Sequence, residues 1–140
     1  MPVIRTEAVD LHSQGSGQVI NITQAIAQAV QNSGLGSGIV TVFCPSATSG
    51  VTTIEYEEGA VHDFQRLFDQ LAPPDQMYEH HLRWGGGNGH SHVRAALLGP
   101  SLTIPFVNRR LTLGTWQQIV FVDFDARPRQ RSLVVQMMGE

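Results

Sequence analysis

Three strand-like stretches follow one another through the last forty or so residues, and they constrain the fold more than any other feature. They cover residues 102–108, 115–125 and 131–138, with the sequences LTIPFVN, TWQQIVFVDFD and RSLVVQMM. Each is rich in β-branched and aromatic residues, and turn-like segments, NRRLTLG and ARPRQR, separate them. Links of this length favour antiparallel pairing. The carboxyl-terminal half is therefore predicted to be mostly sheet.

The amino-terminal half mixes strands with two helices. Residues 3–11, Gly38–Phe43 and residues 50–56 have strand-like composition, and the short CPSATS link predicts that the last two pair with each other. In NITQAIAQAVQNSG the apolar residues recur at helical spacing and a glycine ends the run. Residues 60–71 carry one apolar stripe and stop before two prolines. Both stretches are predicted to be helices.

These elements predict an α+β fold. A chain of 140 residues is long enough for one core, so we expect a single compact domain over residues 1–140. Two to three helices against six or seven strands, with few strand–helix–strand alternations, indicate a largely antiparallel sheet or sandwich.

The composition limits the kinds of reaction and the binding partners that this chain can have. All nine cationic side chains are arginine, which excludes Schiff-base chemistry and lysine bases and leaves histidine as the main proton carrier near neutral pH. Cys44 is the only cysteine, so no internal disulfide forms. The net charge of −3 and the scattered arginines give no basic stripe for nucleic acid. With no long apolar run and no signal-peptide pattern at the start, we expect a soluble, cytoplasmic protein that does not bind membranes.

Four of the six histidines lie in YEHHLRWGGGNGHSH. Residues 78–89 are predicted to be an exposed or cleft-lining loop, and the following HSHVRAALLGPS, residues 90–101, a short helix or turn. In an extended segment His90 and His92 would point to the same side, and His80 could reach the same ion from across the loop. Three neutral imidazoles and an open position form a catalytic zinc site. For His81 we favour a hydrogen bond to the loop backbone.

Further side chains are candidates around this segment. Glu55 is a candidate base, or a group that orients a metal ligand, and His80 and His92 are candidate catalytic residues. Hydroxyl, amide and guanidinium groups that could contact a cofactor or an anion belong to Ser46, Thr48, Asn88, Arg94 and Gln117. Hydroxyl-rich turns and solvated arginines are common, so a purely structural role remains the alternative for these residues.

The ordered set YEHH, NGHSHVRAALLGPS, LTLGTWQQIVFVDFD and VVQMMGE resembles the YjbQ family, also called the secondary thiamine-phosphate synthase family. The likeness is clearest from residue 38 to residue 140. It implies a compact α+β domain, a homotrimer with sites near subunit boundaries, and a histidine-lined pocket that holds a metal. His80 and His92 match recurrent histidines, whereas His90 stands where many members have an acidic residue.

The resemblance implies a transferase that joins a hydroxymethylpyrimidine group to thiazole phosphate, with a phosphorylated small molecule as substrate. Two departures matter. Many members have a histidine where this chain has Ser46, and in the branch with SATSGVTTIEYE a histidine and an aspartate often follow the tryptophan, where this chain has Gly85 and Gly86. The alternatives are a metal-dependent hydrolase, a protein that binds a small molecule or an anion, and a purely structural trimer.

Overall fold

Eight strands and four helices follow one another along the chain. The computed structural model describes the backbone of residues 1–140 and every side chain except that of Trp84. The strands are β1 (Val3–Ser13), β2 (Gln18–Asn21), β3 (Gly38–Phe43), β4 (Ser49–Ile54), β5 (Ser101–Val107), β6 (Arg110–Leu111), β7 (Gln118–Asp123) and β8 (Arg129–Gly139). The helices are α1 (Thr23–Ser33), α2 (Glu58–Leu71), α3 (Glu79–Trp84) and α4 (Gly89–Leu98).

The strands form two antiparallel sheets. The larger has the order β1-β8-β3-β5-β6, and the smaller has the order β2-β7-β4. The prediction of a single α+β domain with largely antiparallel strands is confirmed, although the chain has four helices rather than two or three. The expected pairing of β3 with β4 is wrong, because β3 lies between β5 and β8 whereas β4 pairs with β7. The link between them crosses from one sheet to the other.

Strand β7 explains how the domain is layered. Ile119 and Phe121 belong to a core cluster shared with α1 and the larger sheet. Val120 and Val122 point the other way, into a second cluster that contains Phe68 of α2. Side chains of a strand alternate between its faces, so a continuous apolar run such as IVFV is what a strand buried on both faces requires. The smaller sheet is therefore the middle layer, and α2 and α4 cover its outer face.

Helix α1 matches its prediction. Ile26, Ala29 and Val30 are buried, and Gly34 follows in the left-handed region with φ of 75°. Helix α2 is only partly covered, because Phe68 is buried while Leu67 and Leu71 of the same apolar stripe are exposed. None of the described helices is long and apolar enough to cross a bilayer.

The loop predicted for residues 78–89 contains a short helix, whereas the short helix or turn predicted for residues 90–101 is present as α4. Tyr78 begins a short helix, α3, and Gly85 ends it with φ of 66°. Helix α4 starts at Gly89, so His90 and His92 lie on a helix and not in an extended segment. Residues two apart on a helix point about 200° apart, since each residue turns the chain by about 100°. The expectation that these two imidazoles face the same side is therefore wrong.

Candidate functional site

His80 of α3 and His92 of α4 form a close imidazole pair. Their ring centroids are 4.4 Å apart and the rings are tilted by 33°. Both side chains are half-buried. Nδ1 of His80 is buried and has no hydrogen-bond partner among the described residues. Because buried polar atoms are almost always paired, this nitrogen is available to a ligand.

A cavity of about 270 Å³ lies beside His92. The link between β3 and β4 forms one wall and α4 forms the other. The side chains that α4 and the link present to it are small, which leaves the space open: Ser46, Ala47, Ser49, Ala95 and Ala96. Ser46 therefore lines the same cavity as His92. This is the position where many members of the family that the sequence resembles have a histidine.

A buried ion-pair network holds the link in place. Arg131 of β8 forms a bidentate pair with Asp123, with Nε–Oδ2 and Nη2–Oδ1 distances of 2.8 and 2.9 Å. The same guanidinium donates to the hydroxyl oxygens of Ser46 at 2.9 Å and Thr48 at 2.8 Å. Thr48 in turn donates to Oδ2 of Asp125 at 3.1 Å. The two hydroxyls predicted to contact a cofactor are thus engaged inside the protein.

The environment of His92 keeps its imidazole neutral. Burial lowers its pKa, the nearby His80 ring acts in the same direction, and the Asp125 carboxylate opposes them. A neutral imidazole has a free nitrogen lone pair at physiological pH. His92 can therefore accept a proton or bind a metal ion without first losing a proton.

His90 lies away from this pair. Its side chain lines another cavity, with Arg94 and Asp69, whereas His92 lines the cavity described above. The structure therefore brings together two of the three predicted metal ligands in one subunit. No group of three His, Cys, Asp or Glu side chains able to hold a metal ion occurs among the described residues. His80 and His92 alone are one imidazole short of the three-histidine site that the sequence predicts.

The other predicted site residues lie apart from the imidazole pair. Glu55 lines a cavity with Tyr56 and Trp116 at the end of β4. Oε1 of Gln117 accepts from the amide of Gly114 at 2.8 Å and so stabilises its own turn. In this chain, neither side chain lies with the histidines.

Asn88 and Arg94 take structural positions at α4. Asn88 precedes the helix without capping it through its side chain. Arg94 is buried, and its Nη2 contacts Asp69 while its Nε donates to the carbonyl of Ala72, both at 3.0 Å.

His81 behaves as expected. Its Nε2 accepts a hydrogen bond from the amide of Gly89 at 3.2 Å, which joins α3 to the start of α4. The expected hydrogen bond between His81 and the loop backbone is therefore present. Asp123 and Arg131, in contrast, were not recognised in the sequence. The available signal was two acidic residues that alternate with an apolar one at the end of one predicted strand, followed by an arginine at the start of the next. This pattern does not reveal which of these side chains meet.

The chain is similar to proteins of one family over almost its whole length. The family model described as "UPF0047 protein YjbQ-like" matches residues 7–140. A UPF0047 protein of Methanothermobacter thermautotrophicus is 33% identical over 137 residues, which cover 98% of this chain and 94% of that protein. The UPF0047 protein YugU of Bacillus subtilis is 35% identical over 123 residues, 87% of this chain and 90% of the relative.

Solved structures agree with this grouping. A hypothetical protein from Aeropyrum pernix K1 has a TM-score of 0.90 and 29% identity, covering 97% of this chain and 99% of that chain. A YjbQ/UPF0047 protein from Clostridium acetobutylicum has a TM-score of 0.86 and 35% identity, covering 94% of this chain and 98% of that chain. It is described as uncharacterized. From its sequence and its fold, this chain belongs to the YjbQ/UPF0047 family, whose function is unknown.

Proposed function

We propose that the cavity beside His92, whose ring lies against that of His80, binds a small phosphorylated substrate. The observation that carries this proposal is the imidazole pair itself, with a buried, unpartnered Nδ1 on His80 and a neutral ring on His92. Structural histidines in a core normally have both nitrogens accounted for, as His81 partly does through Gly89. A cavity of about 270 Å³ next to such a pair has room for a small ring or a phosphate group.

For the reaction, we propose a transfer of the thiamine-phosphate synthase type. The ring nitrogen of thiazole phosphate attacks the methylene carbon of hydroxymethylpyrimidine diphosphate, and the carbon–oxygen bond to diphosphate breaks. Diphosphate leaves with the bonding electrons and requires positive charge around it. His92, in the cavity wall, would orient such a substrate by a hydrogen bond from its neutral ring. Arg131 is already committed to Asp123 and contributes little free charge.

A divalent ion, zinc in view of the imidazole ligands, remains part of the proposal. His80 and His92 would hold it, and when bound it would supply positive charge near a leaving phosphate group. Its third protein ligand, and a base such as Glu55, would come from a neighbouring subunit. Metal content measured on purified wild type, His80→Ala and His92→Ala tests this part. We expect loss of metal in both variants, and unchanged metal in both would refute it.

The transfer itself is tested in two ways. Purified protein is given both substrates, and diphosphate release is followed by phosphorus NMR with and without added zinc or magnesium. In parallel, the gene is expressed in a thiamine-requiring strain that lacks its main synthase. We expect activity that His92→Gln abolishes and that His62→Gln, an exposed change on α2, leaves intact. Absence of diphosphate release and of growth at high expression would refute the transfer.

A second function is supported by a different observation. Ser46 stands where many members have a histidine, so the pocket has one imidazole fewer and no acidic cluster among the described residues to hold magnesium on a diphosphate. This favours a metal-dependent hydrolase or a small-molecule binding protein. Binding of thiazole phosphate that His92→Gln weakens, without any transfer, would support this alternative.

For the assembly, we propose a homotrimer in which a neighbouring subunit covers the outer face of the larger sheet. The strand register places Ile4, Met138 and Ile39 in one row, and Phe43 and Val134 in another. These five apolar side chains are between 36% and 58% exposed in the single chain. Exposed apolar patches of this kind are typical of subunit interfaces.

Light scattering after size exclusion measures the assembly directly. We expect a mass of three chains for the wild type and of one chain for the double variant Ile39→Asp/Val134→Asp. Leu71→Asp places the same charge on an exposed apolar position of α2 and should leave the mass unchanged. A monomeric wild type would refute the proposal.

A further inference from the structure

A second cavity lies on the other side of α4 from His92. It has a volume of about 290 Å³ and is bounded by α2, the start of α4 and the turn after β1. His90 and Arg94 both line it. They are four residues apart on the helix and therefore share one face, whereas His92 points away from that face. The cavity is thus separate from the candidate site described above.

The two polar side chains in this wall are almost completely buried. Arg94 is 5% exposed and His90 is 7% exposed. A guanidinium keeps its charge in proteins, so burying it requires hydrogen-bond acceptors around it. Arg94 uses Nε for the carbonyl of Ala72 and Nη2 for the carboxylate of Asp69. Nη1 has no hydrogen-bond partner among the described residues.

His90 is the second donor that faces the cavity. Its Nδ1 is buried, and no described residue pairs with it. In either neutral tautomer the imidazole has one N–H to donate and one nitrogen to accept, and the protonated ring has two N–H groups to donate. A buried, unpaired nitrogen is unfavourable and indicates a missing partner.

The start of α4 adds positive potential at the same place. The amide of Gly89 already donates to His81, but the aligned peptide dipoles of the helix still make this end positive. Asn88 provides no side-chain cap, and Gly87 of the preceding loop forms part of the cavity wall. Arg94, His90 and the helix start therefore present donors and positive charge to one small volume.

Asp69 is the one acidic side chain in this wall. It contacts Nη2 of Arg94 at 3.0 Å, but 63% of its side chain is exposed to solvent. It also lies in the last turns of α2, where the helix dipole disfavours a negative charge. An exposed carboxylate on a short side chain can leave Arg94 at little cost, so Asp69 acts as an internal competitor for an anion.

We propose that this cavity binds a small oxyanion group, a phosphate or a carboxylate, which replaces Asp69 at Arg94 and takes a hydrogen bond from His90. Charge-assisted bonds from a planar guanidinium fit both groups. Ser16, in the turn after β1, also lines the cavity. This site does not depend on the proposed function, because it shares no described wall residue with the cavity of His92.

Two titrations test the proposal on the full-length protein labelled with nitrogen-15. Inorganic phosphate is added in one and acetate in the other, with sodium chloride adjusted to hold the ionic strength constant. The ring signals of His90 and the Nε signal of Arg94 are followed, and His90→Gln identifies the ring signals. We expect saturable shifts with at least one anion, and the stronger of the two responses identifies the source of the oxyanion.

Asp69→Asn is the decisive variant, since it removes the competing charge from an exposed position and leaves Arg94 in place. We expect it to tighten binding by about fivefold, as removal of one unit charge near 4 Å in water implies. Asp63→Asn removes an exposed carboxylate from the same helix and should leave the affinity unchanged. His90→Gln should weaken binding, and His92→Gln should not affect it.

Four results would overturn the proposal. One is the absence of saturable shifts with either anion, and another is an equal response to chloride alone. The third is an equal affinity of the Asp69→Asn and Asp63→Asn variants. Loss of phosphate binding in His92→Gln would show that the two cavities are not independent, and this also overturns the proposal. Failure of the transfer assay has no bearing on these outcomes.

Discussion

Replacement of Arg131 by methionine should destabilise the protein far more than the same replacement of Arg66. Both arginines pair with an aspartate, at 2.8 and 2.7 Å. Asp123, the partner of Arg131, is completely buried, and Arg131 is 14% exposed. Asp63 and Arg66 are 68% and 69% exposed. The two pairs therefore share their chemistry and differ in their contact with water.

The magnitudes follow from that difference. Loss of one partner of a buried pair leaves an uncompensated charge and costs about 3 to 5 kcal/mol of unfolding free energy. Loss of an exposed pair costs under about 1 kcal/mol, because water solvates the remaining charge. With a urea m-value of about 2 kcal/mol per molar, the midpoint should fall by about 2 M for Arg131→Met and by under about 0.5 M for Arg66→Met.

The assay is urea unfolding followed by circular dichroism at one protein concentration. Arg131→Lys keeps the positive charge but cannot reach Asp123, Ser46 and Thr48 together, so we expect an intermediate loss. This variant also covers the case in which Arg131→Met does not fold. Equal midpoint shifts for the Arg131 and Arg66 variants would refute the reasoning.

The remaining predictions concern local chemistry at and near the candidate site. Cys44, the only cysteine, is buried, and its pKa is raised to about 12, so it should react slowly with a disulfide reagent in the wild type. Arg131→Lys should loosen the link between β3 and β4 and make this reaction faster. An unchanged rate would contradict the role given to Arg131. Burial lowers the pKa of His90 and His92, so the unfolded chain binds more protons and stability should fall as the pH drops below about 6.5. Urea unfolding of His90→Gln/His92→Gln should show a weaker pH dependence between about pH 7 and 5, and an unchanged slope would be evidence against it. Ser46→His adds an imidazole to the cavity wall beside His92 and should strengthen zinc binding in equilibrium dialysis, whereas Ser46→Asn should not; no gain for histidine would contradict the assigned geometry. Gly89→Ala places a Cβ 2.5 Å from Cβ of Tyr78 and should cost about 1 to 3 kcal/mol in thermal or urea unfolding, whereas Gly86→Ala meets only an atom at 3.5 Å and should be neutral.

Local pattern was sufficient for much of the fold. The spacing of Ile26, Ala29 and Val30 predicted α1, and the β-branched runs predicted the strands within a few residues. These features depend on backbone geometry over one or two turns, so neighbouring residues determine them. The motifs around His80 and His92 also indicated the family, which the comparisons confirm.

Contacts between residues far apart in the chain could not be predicted from local sequence pattern. The short link predicted that β3 pairs with β4, but the link crosses between sheets because each strand contributes to a different layer of the core. The glycine-rich segment predicted a loop, whereas Tyr78 and Gly85 begin and end a helix there. That helix brings His80 to His92, and the helical path of α4 turns His90 away.

By itself, the sequence determined the elements, the absence of lysine chemistry, and a histidine-rich segment as the place of interest. Only the tertiary structure decided which histidines meet and which arginine is buried. Arg66 and Arg131 look alike as residues near aspartates, yet solvent surrounds one pair and the core surrounds the other. The physical reason is that the strength of a charge interaction and the pKa of an imidazole depend on burial, which arises from packing between residues far apart in the chain.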